Sequence, residues 1–420
     1  MPVAARGDIT GWLLCFFSLS MLLINHWATT LPYQWLPMVV ILLFLAPWAW
    51  VFIRQPIAAV RHVLAGWPLL ALPVLALAST IWSDYPAWSA RAGTQFLITT
   101  IVGILAATCI RPRSLLSALL CALSLIALLS VFSGGSQGLG LSGEVVLAGL
   151  FGSKNYFGLC VSLLLLTAII VALDRRQSRF FRLLGTTAAL FSPLLLIQTK
   201  STGAIVVVLV TSIITSVLYF SLRLSPLARS AIIAVTIIIL VMFIALGTLN
   251  LDAIQDILAY FGKDVTLTGR TFLWGHALTS LAENPVLGVG YQAYWQVGNW
   301  AAEQLWQYAG ISNKYGFHFH NTYLQVLVDL GAVGLITLLA TFIVITARAA
   351  LVVVSARPSL EQLFAIAVFI FLLLRTPIEV DLFFQFQIPT ILFCMIWLYL
   401  RSPTPSQFMI RDVQLGRLSP

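Results

Sequence analysis

Apolar text recurs along this chain in runs long enough to cross a lipid bilayer, and short polar stretches between the runs hold most of the charge. The runs lie near 10–25, 36–53, 67–81, 95–110, 114–132, 157–173, 181–198, 203–221, 230–249, 320–347, 359–375 and 386–400. A hydrocarbon core about 30 Å thick needs about 20 apolar helical residues, and the shorter runs reach that length by extending into their flanks. Of the 420 residues, 60% are hydrophobic and 9% charged, where soluble domains carry about 25% charge. So little charge does not cover a water-facing surface. The expected fold is an all-α polytopic bundle of about 12 transmembrane helices in a lipid bilayer.

The net charge of +9 is a topology signal rather than a nucleic-acid signal. The basic residues are scattered between apolar runs, with no basic stripe and interleaved aromatics on a soluble domain, so no nucleic-acid partner is expected. With the N-terminus inside and sides alternating, seven basic residues of 23 fall outside: Arg91, Lys154, Lys200, Lys263, Arg270, Lys314 and Arg375. The rest, all arginines, fall inside, as an N-in, C-in orientation requires. The first run, Gly11 to Asn25, follows Arg6 and admits a signal-peptide reading. No small-residue cleavage site follows it, which favours a retained helix. The five cysteines lie in or beside apolar runs without a CxxC or Cys/His cluster, so neither a disulfide framework nor a thiolate metal site is indicated.

The organisation expected is transmembrane helices 1–9 over residues 1–249, an outer loop over 250–319, helices 10–12 over 320–402 and an inner tail over 403–420. A connection of about seventy residues is too long for a turn, and loops of that kind are usually functional. Arg270 to Glu283 reads as a helix that Asn284-Pro285 ends, and Asn299 to Tyr308 as a second. The loop is rich in aromatics, among them Trp274, Tyr294, Trp295 and Trp306.

Four constellations carry possible chemistry. Thr266-Leu267-Thr268-Gly269-Arg270-Thr271 places a capping threonine before a helix whose first turn holds an arginine. This reads as a phosphate clamp or as an ordinary capped helix. Phe317-His318-Phe319-His320-Asn321 puts two histidines where the loop re-enters the membrane, either for proton transfer or as interfacial residues. Their H-x-H spacing suits a metal, but no third ligand stands nearby in sequence, and none is expected to bind. Asn321 either caps the next helix or meets substrate hydroxyls. Lys154, Lys200, Arg91 and Arg375 sit at outer helix ends, where they either snorkel or converge on an anionic headgroup, with Glu144, Glu379 and Asp381 as acidic neighbours. Asp329, inside an apolar helix, is a functional candidate or a structural hydrogen-bonding group facing Arg375 or a polar cavity.

The motifs occur together and in order: Gly149-x-x-Gly152-Ser153-Lys154-Asn155, then Lys200-Ser201-Thr202-Gly203, then Leu-Thr-Gly-Arg-Thr-x-x-Trp ending at Trp274. Asn-Pro-x-x-Gly-x-Gly follows over 284–290, His-Asn-x-x-Leu-Gln over 320–325, and Asp-x-Gly-x-x-Gly over 329–334. This resembles the bacterial O-antigen ligase and polysaccharide polymerase superfamily over roughly residues 145–400, in feel nearest to exopolysaccharide polymerases. The resemblance implies a metal-independent, cofactor-free glycosyltransferase of the bacterial inner membrane, acting on the periplasmic face. It implies an undecaprenyl-diphosphate-linked glycan donor and a hydroxyl acceptor, with a chain-length regulator protein as a further partner. It places Arg270 on the diphosphate and His320 on the acceptor as catalytic residues. Lys200, Lys154, Asn155, Arg91, Arg375, Asn321, His318 and Trp274 then surround the substrate, and the loop aromatics offer faces on which its sugar rings stack. The family's Ser-Arg at a middle helix start is Lys200-Ser201 here, which supplies charge without arginine's fork. Polymerase, ligase, lipid-linked sugar transporter and scaffold are the competing functions, in that order.

Overall fold

The computed structural model describes residues 3–139, 144–232, 235, 270–308, 310, 314, 317–355 and 358–401. The expected helix over 230–249, the loop start with Lys263 and Thr266 to Gly269, and the tail over 403–420 lie wholly or mostly outside the described residues.

The first half runs α1 (Val3–Ala28), α2 (Leu36–Arg54), α3 (Pro56–Ala65), α4 (Ala71–Ala78), α5 (Pro86–Cys109) and α6 (Pro112–Ser133). A small antiparallel hairpin, β1 (Ser136–Leu139) with β2 (Glu144–Leu147), leads to α7 (Lys154–Leu173), α8 (Arg179–Thr199) and α9 (Thr202–Ser221). The second half holds α10 (Arg270–Glu283), α11 (Trp300–Tyr308), α12 (Thr322–Ser355), α13 (Leu360–Arg375) and α14 (Ile388–Tyr399). Every expected apolar run within the described residues contains helix. Among the described residues, eight helices are long and apolar enough to cross a membrane, or nine if the pair Pro56–Ala65 and Trp67–Ile81, bent by 80°, counts as one span. The α13 and α14 helices, 16 and 12 residues long, fall short of a full span and are buried on nearly every side.

Local sequence explains many of the boundaries. Ser153 accepts the Tyr156 N–H and Ser178 that of Phe181, capping α7 and α8, while Ser359 and Gln362 form a capping box at α13. Hydroxyls inside helices bond their own preceding turn, as Thr167 does to the Leu163 carbonyl at 2.6 Å, so they enter an apolar interior already satisfied. The α7 helix sits in the core, with Phe157, Leu163 and Val171 fully buried. The α2, α8 and α9 helices instead turn large apolar side chains outward, among them Leu42, Leu190 and Ile213. Such faces are untenable in water and ordinary against lipid. The chain is a multi-pass membrane protein.

One membrane helix is broken. Within α12, Gly331 has φ 61° and ψ −162°, which removes two intrahelical bonds, Ala332 N–H to the Val328 carbonyl and Val333 N–H to that of Asp329. All four groups find partners in 285–290. Ala332 N–H donates to Pro285 O at 2.9 Å and Val333 N–H to Val286 O at 3.2 Å. Val328 O accepts Val289 N–H at 2.9 Å, and Asp329 O accepts Gly290 N–H at 3.0 Å. Irregular backbone away from water persists only where another segment satisfies it. The Asn-Pro-x-x-Gly-x-Gly and Asp-x-Gly-x-x-Gly motifs are the two sides of this docking. The α4–α5 corner joins it, with Asp84 N–H on Val289 O at 3.1 Å and Trp82 Nε1 on Leu287 O at 3.0 Å.

A turn after α13 completes the site's frame. Ile378 and Glu379 N–H both donate to Arg375 O. The Arg375 side chain forks onto Asp381, Nε to Oδ2 at 2.6 Å and Nη2 to Oδ1 at 3.3 Å. Thr322, opening α12, ties to this turn through its N–H on Thr376 O at 2.8 Å and its hydroxyl on Glu379 O at 2.7 Å.

Two stability measurements follow from this frame. At Gly331 and Gly288 a Cβ would overlap the docked backbone in a left-handed conformation. Gly331→Ala and Gly288→Ala each cost about 2–5 kcal/mol and lower the melting temperature in detergent. Gly275→Ala, where a Cβ meets nothing within 4 Å, leaves the melting temperature unchanged or raised. Arg375→Ala strands a buried carboxylate and costs about 3–5 kcal/mol, and adding Asp381→Ala costs less than the sum of the two single changes.

Candidate active site

The Glu379 carboxylate is the meeting point of four segments. Its Oε1 accepts Asn155 Nδ2 from the first turn of α7 at 2.9 Å and Arg270 Nη2 from the first turn of α10 at 3.0 Å. Its Oε2 faces His320 Nδ1 at 3.1 Å and His318 Nε2 at 4.0 Å. Arg270 also donates Nη1 to the Ile378 carbonyl. Asn155 Oδ1 accepts the Ser201 hydroxyl at 3.0 Å, joining the start of α9. Lys154 Nζ reaches the Lys200 carbonyl at 3.5 Å, linking the start of α7 to the segment before α9. Arg270, His320, His318 and Asn155, named from the sequence, are therefore brought together on one carboxylate.

Other named residues have different partners. Arg375 is 1% exposed and held by Asp381, so it braces the Glu379 turn instead of meeting a headgroup. It also does not face Asp329, because its fork is spent on Asp381 six residues on. Arg91 stacks on Trp88 at 5.5 Å and makes no contact with the Glu379 group among the described residues. Asn321 caps α12 by accepting the Tyr323 and Leu324 N–H groups. Trp274 donates its indole N–H to the Phe319 carbonyl at 2.9 Å, which pins the histidine segment. Tyr294, Trp295 and Trp306 are buried against Phe319 and one another, so these rings build the loop's own core. The expectation that they offer faces to sugars does not hold for these three.

The histidines differ in role. His320 N–H donates to His318 Nδ1 at 3.1 Å, so the neutral His318 ring carries its proton on Nε2, toward Glu379. Burial, then the charge of His320, holds the His318 pKa down at about 3, and the ring is neutral at physiological pH. Burial raises a carboxyl's pKa, yet at Glu379 the His320 contact and the Arg375 cation outweigh it and hold the group below the ordinary range. When the His320 ring is neutral, an ionised carboxylate facing Nδ1 keeps the proton on that nitrogen, so that Nε2 carries the lone pair. His320, with 25% of its side chain exposed, thus has the form of an oriented general base.

His318, His320 and Glu379 also present three ligand-type atoms within 4.8 Å of one another. Glu379 is the third partner that the H-x-H text lacked, 59 residues beyond His320. The Arg270 cation shares the same carboxylate.

Glu379 is the residue sequence reading passed over, noted only as one acidic group among several. A usable signal was present, since Arg375, Glu379 and Asp381 crowd into seven residues between two apolar helices, where unpaired charge is costly.

Residues 187–339 match the family model described as O-antigen ligase. That stretch holds Arg270 and both histidines but not Asn155 or Glu379. The chain is also 30% identical over 286 residues to an exopolysaccharide production protein, ExoQ, of Rhizobium meliloti (strain 1021). The alignment covers 66% of this chain and 63% of that relative, so the chain spans less than two thirds of the relative's length. Residues 187–339 thus resemble the O-antigen ligase family, and over a longer stretch the chain resembles an exopolysaccharide production protein, as its motifs lead one to expect.

Proposed function

We propose that the protein is a metal-independent membrane glycosyltransferase that polymerises undecaprenyl-diphosphate-linked oligosaccharide units into surface polysaccharide on the periplasmic face of the bacterial inner membrane. The observation that carries this reading is the Glu379–His320 pair beside Arg270, a base and a cation set on one carboxylate. His320 Nε2 takes the proton of the acceptor hydroxyl as its oxygen attacks the anomeric carbon. The bond from that carbon to the diphosphate breaks, and its electrons leave on the phosphate oxygen. Arg270 has five N–H donors, two engaged by Ile378 and Glu379, and with Lys154 and Lys200 it stabilises the charge that develops there. Glu379 balances the imidazolium that forms. The apolar helices leave the polyprenyl tail in lipid, and the described part of the outer loop, over 270–308, packs beside the site.

The relative's exopolysaccharide role favours a polymerase. The family description favours an alternative, transfer of a finished glycan to a lipid A core or another acceptor by an O-antigen ligase. Gel analysis of surface polysaccharide from a deletion strain separates them. Single units without long chains mean polymerase, and intact polymer left on the lipid carrier means ligase.

In the complemented strain His320→Ala lowers polymer formation by about 10²–10⁴-fold, Arg270→Ala by about 10²–10³-fold and Glu379→Gln by about 10²-fold or more, with protein levels unchanged on immunoblot. Normal polymer from His320→Ala or Arg270→Ala sinks the enzyme reading. The N-in, C-in topology is tested in a background lacking the five native cysteines. A cysteine at Lys314 reacts with a membrane-impermeant thiol reagent added to the periplasmic side, and a cysteine at Arg179 does not.

A further inference from the structure

His320 sits in a backbone conformation that only outside restraint maintains. Its φ is 50°, a left-handed value that is unfavourable for a residue with a side chain. The peptide groups of Phe319, immediately before it, are held from two sides. The Phe319 carbonyl accepts the Trp274 indole, and the Phe319 N–H donates to Gln325 Oε1 at 3.3 Å. The same Gln325 oxygen faces Trp295 Nε1 at 3.4 Å. Gln325 is 1% exposed, and its Nε2 is among the buried polar atoms that make no hydrogen bond within standard geometry. Asp329 lies one helical turn further on, on the same face of α12, at 0% exposure, with both carboxyl oxygens in the same condition. The Gln325 side chain and the Gln292 backbone N–H are the donors that act on this carboxyl group, and the Gln325 amide and the Asp329 oxygens, four residues apart on one face, complement each other.

We propose that Gln325, braced by Asp329, is a positioning residue for His320. The carboxamide oxygen holds the Phe319 peptide, and the amide nitrogen, turned to Asp329, fixes which end of the carboxamide faces up. Asp329 also stands directly before the helix break, where its own carbonyl is taken by Gly290 N–H. The brace is therefore anchored in the part of α12 that the loop motif docks. This assigns Asp329 a task that neither the headgroup cations nor the Glu379 group gives it. The proposal rests on the reading of His320 as the base.

The test uses the full chain in membrane vesicles, with lipid-linked glycan extracted from the deletion strain as substrate and melting temperature in detergent measured alongside. Gln325→Glu keeps size and both acceptor contacts but sets a carboxylate against Asp329, and it lowers kcat by about tenfold or more with KM nearly unchanged. Gln325→Glu combined with Asp329→Asn reverses donor and acceptor across the same contact and restores kcat to within about threefold of the parent. A generic packing role does not predict that recovery. Gln325→Leu behaves like Gln325→Glu and is not recovered by Asp329→Asn. Wild-type kcat in Gln325→Glu, or no recovery in the double variant at a wild-type melting temperature, overturns the proposal while an inactive His320→Ala leaves the base reading standing. A fully active His320→Ala overturns both. If Gln325→Glu does not fold, Asp329→Asn decides alone, because a lone asparagine can turn its oxygen to the Gln325 amide and keep at least a third of the parent kcat. A larger loss in that variant counts against the brace.

Discussion

A single buried carboxylate organises the functional end of this molecule. Glu379 binds the first turn of α7 through Asn155, the first turn of α10 through Arg270, and the loop re-entry through His320. Its own backbone is tied to the start of α12 by Thr322. An ion of this kind inside a membrane protein is tolerable only when every lone pair is answered by a donor. That requirement converts an electrostatic cost into geometry, because four remote segments must arrive together or leave a charge unpaired. The Arg375–Asp381 fork serves the same end by holding the turn that presents the carboxylate.

The broken helix shows the same logic in the backbone. Opening α12 at Gly331 leaves two donors and two acceptors out of the helix, and the 285–290 segment takes all four. The docking fixes where the second half of the loop lies and carries the α4–α5 corner with it. The loop's aromatic cluster then packs around Phe319, beside the histidines. Side chains that would serve as sugar platforms on an open loop are consumed in making this loop a folded cover.

Much of the architecture was legible in the text. Every apolar run within the described residues contains helix, because the helix is the structure that satisfies its own backbone polar groups within one segment in lipid, but α3, over Pro56–Ala65, lies between two runs where only a connecting loop was expected. Asn284-Pro285 ended α10 where proline geometry demands it, and Asn321 capped α12 as its side chain suits. Arg270 and His320 stood out because an arginine at a helix start and a histidine at a membrane re-entry are unusual in apolar text. Helix count was less legible, since run length does not distinguish a spanning helix from short buried ones such as α13 and α14.

The sequence by itself determined that the chain must live in lipid, where most of its helices run and which residues stand out as candidates for chemistry, because hydropathy and residue type are local properties. Tertiary structure alone decided who pairs with whom. Glu379 became the centre and Arg375 became its brace, though the two read alike as outer-side charges. Two glycine motifs became halves of one backbone docking. Pairings across 59, 109 and 224 residues depend on which helix ends meet, and no local pattern encodes that.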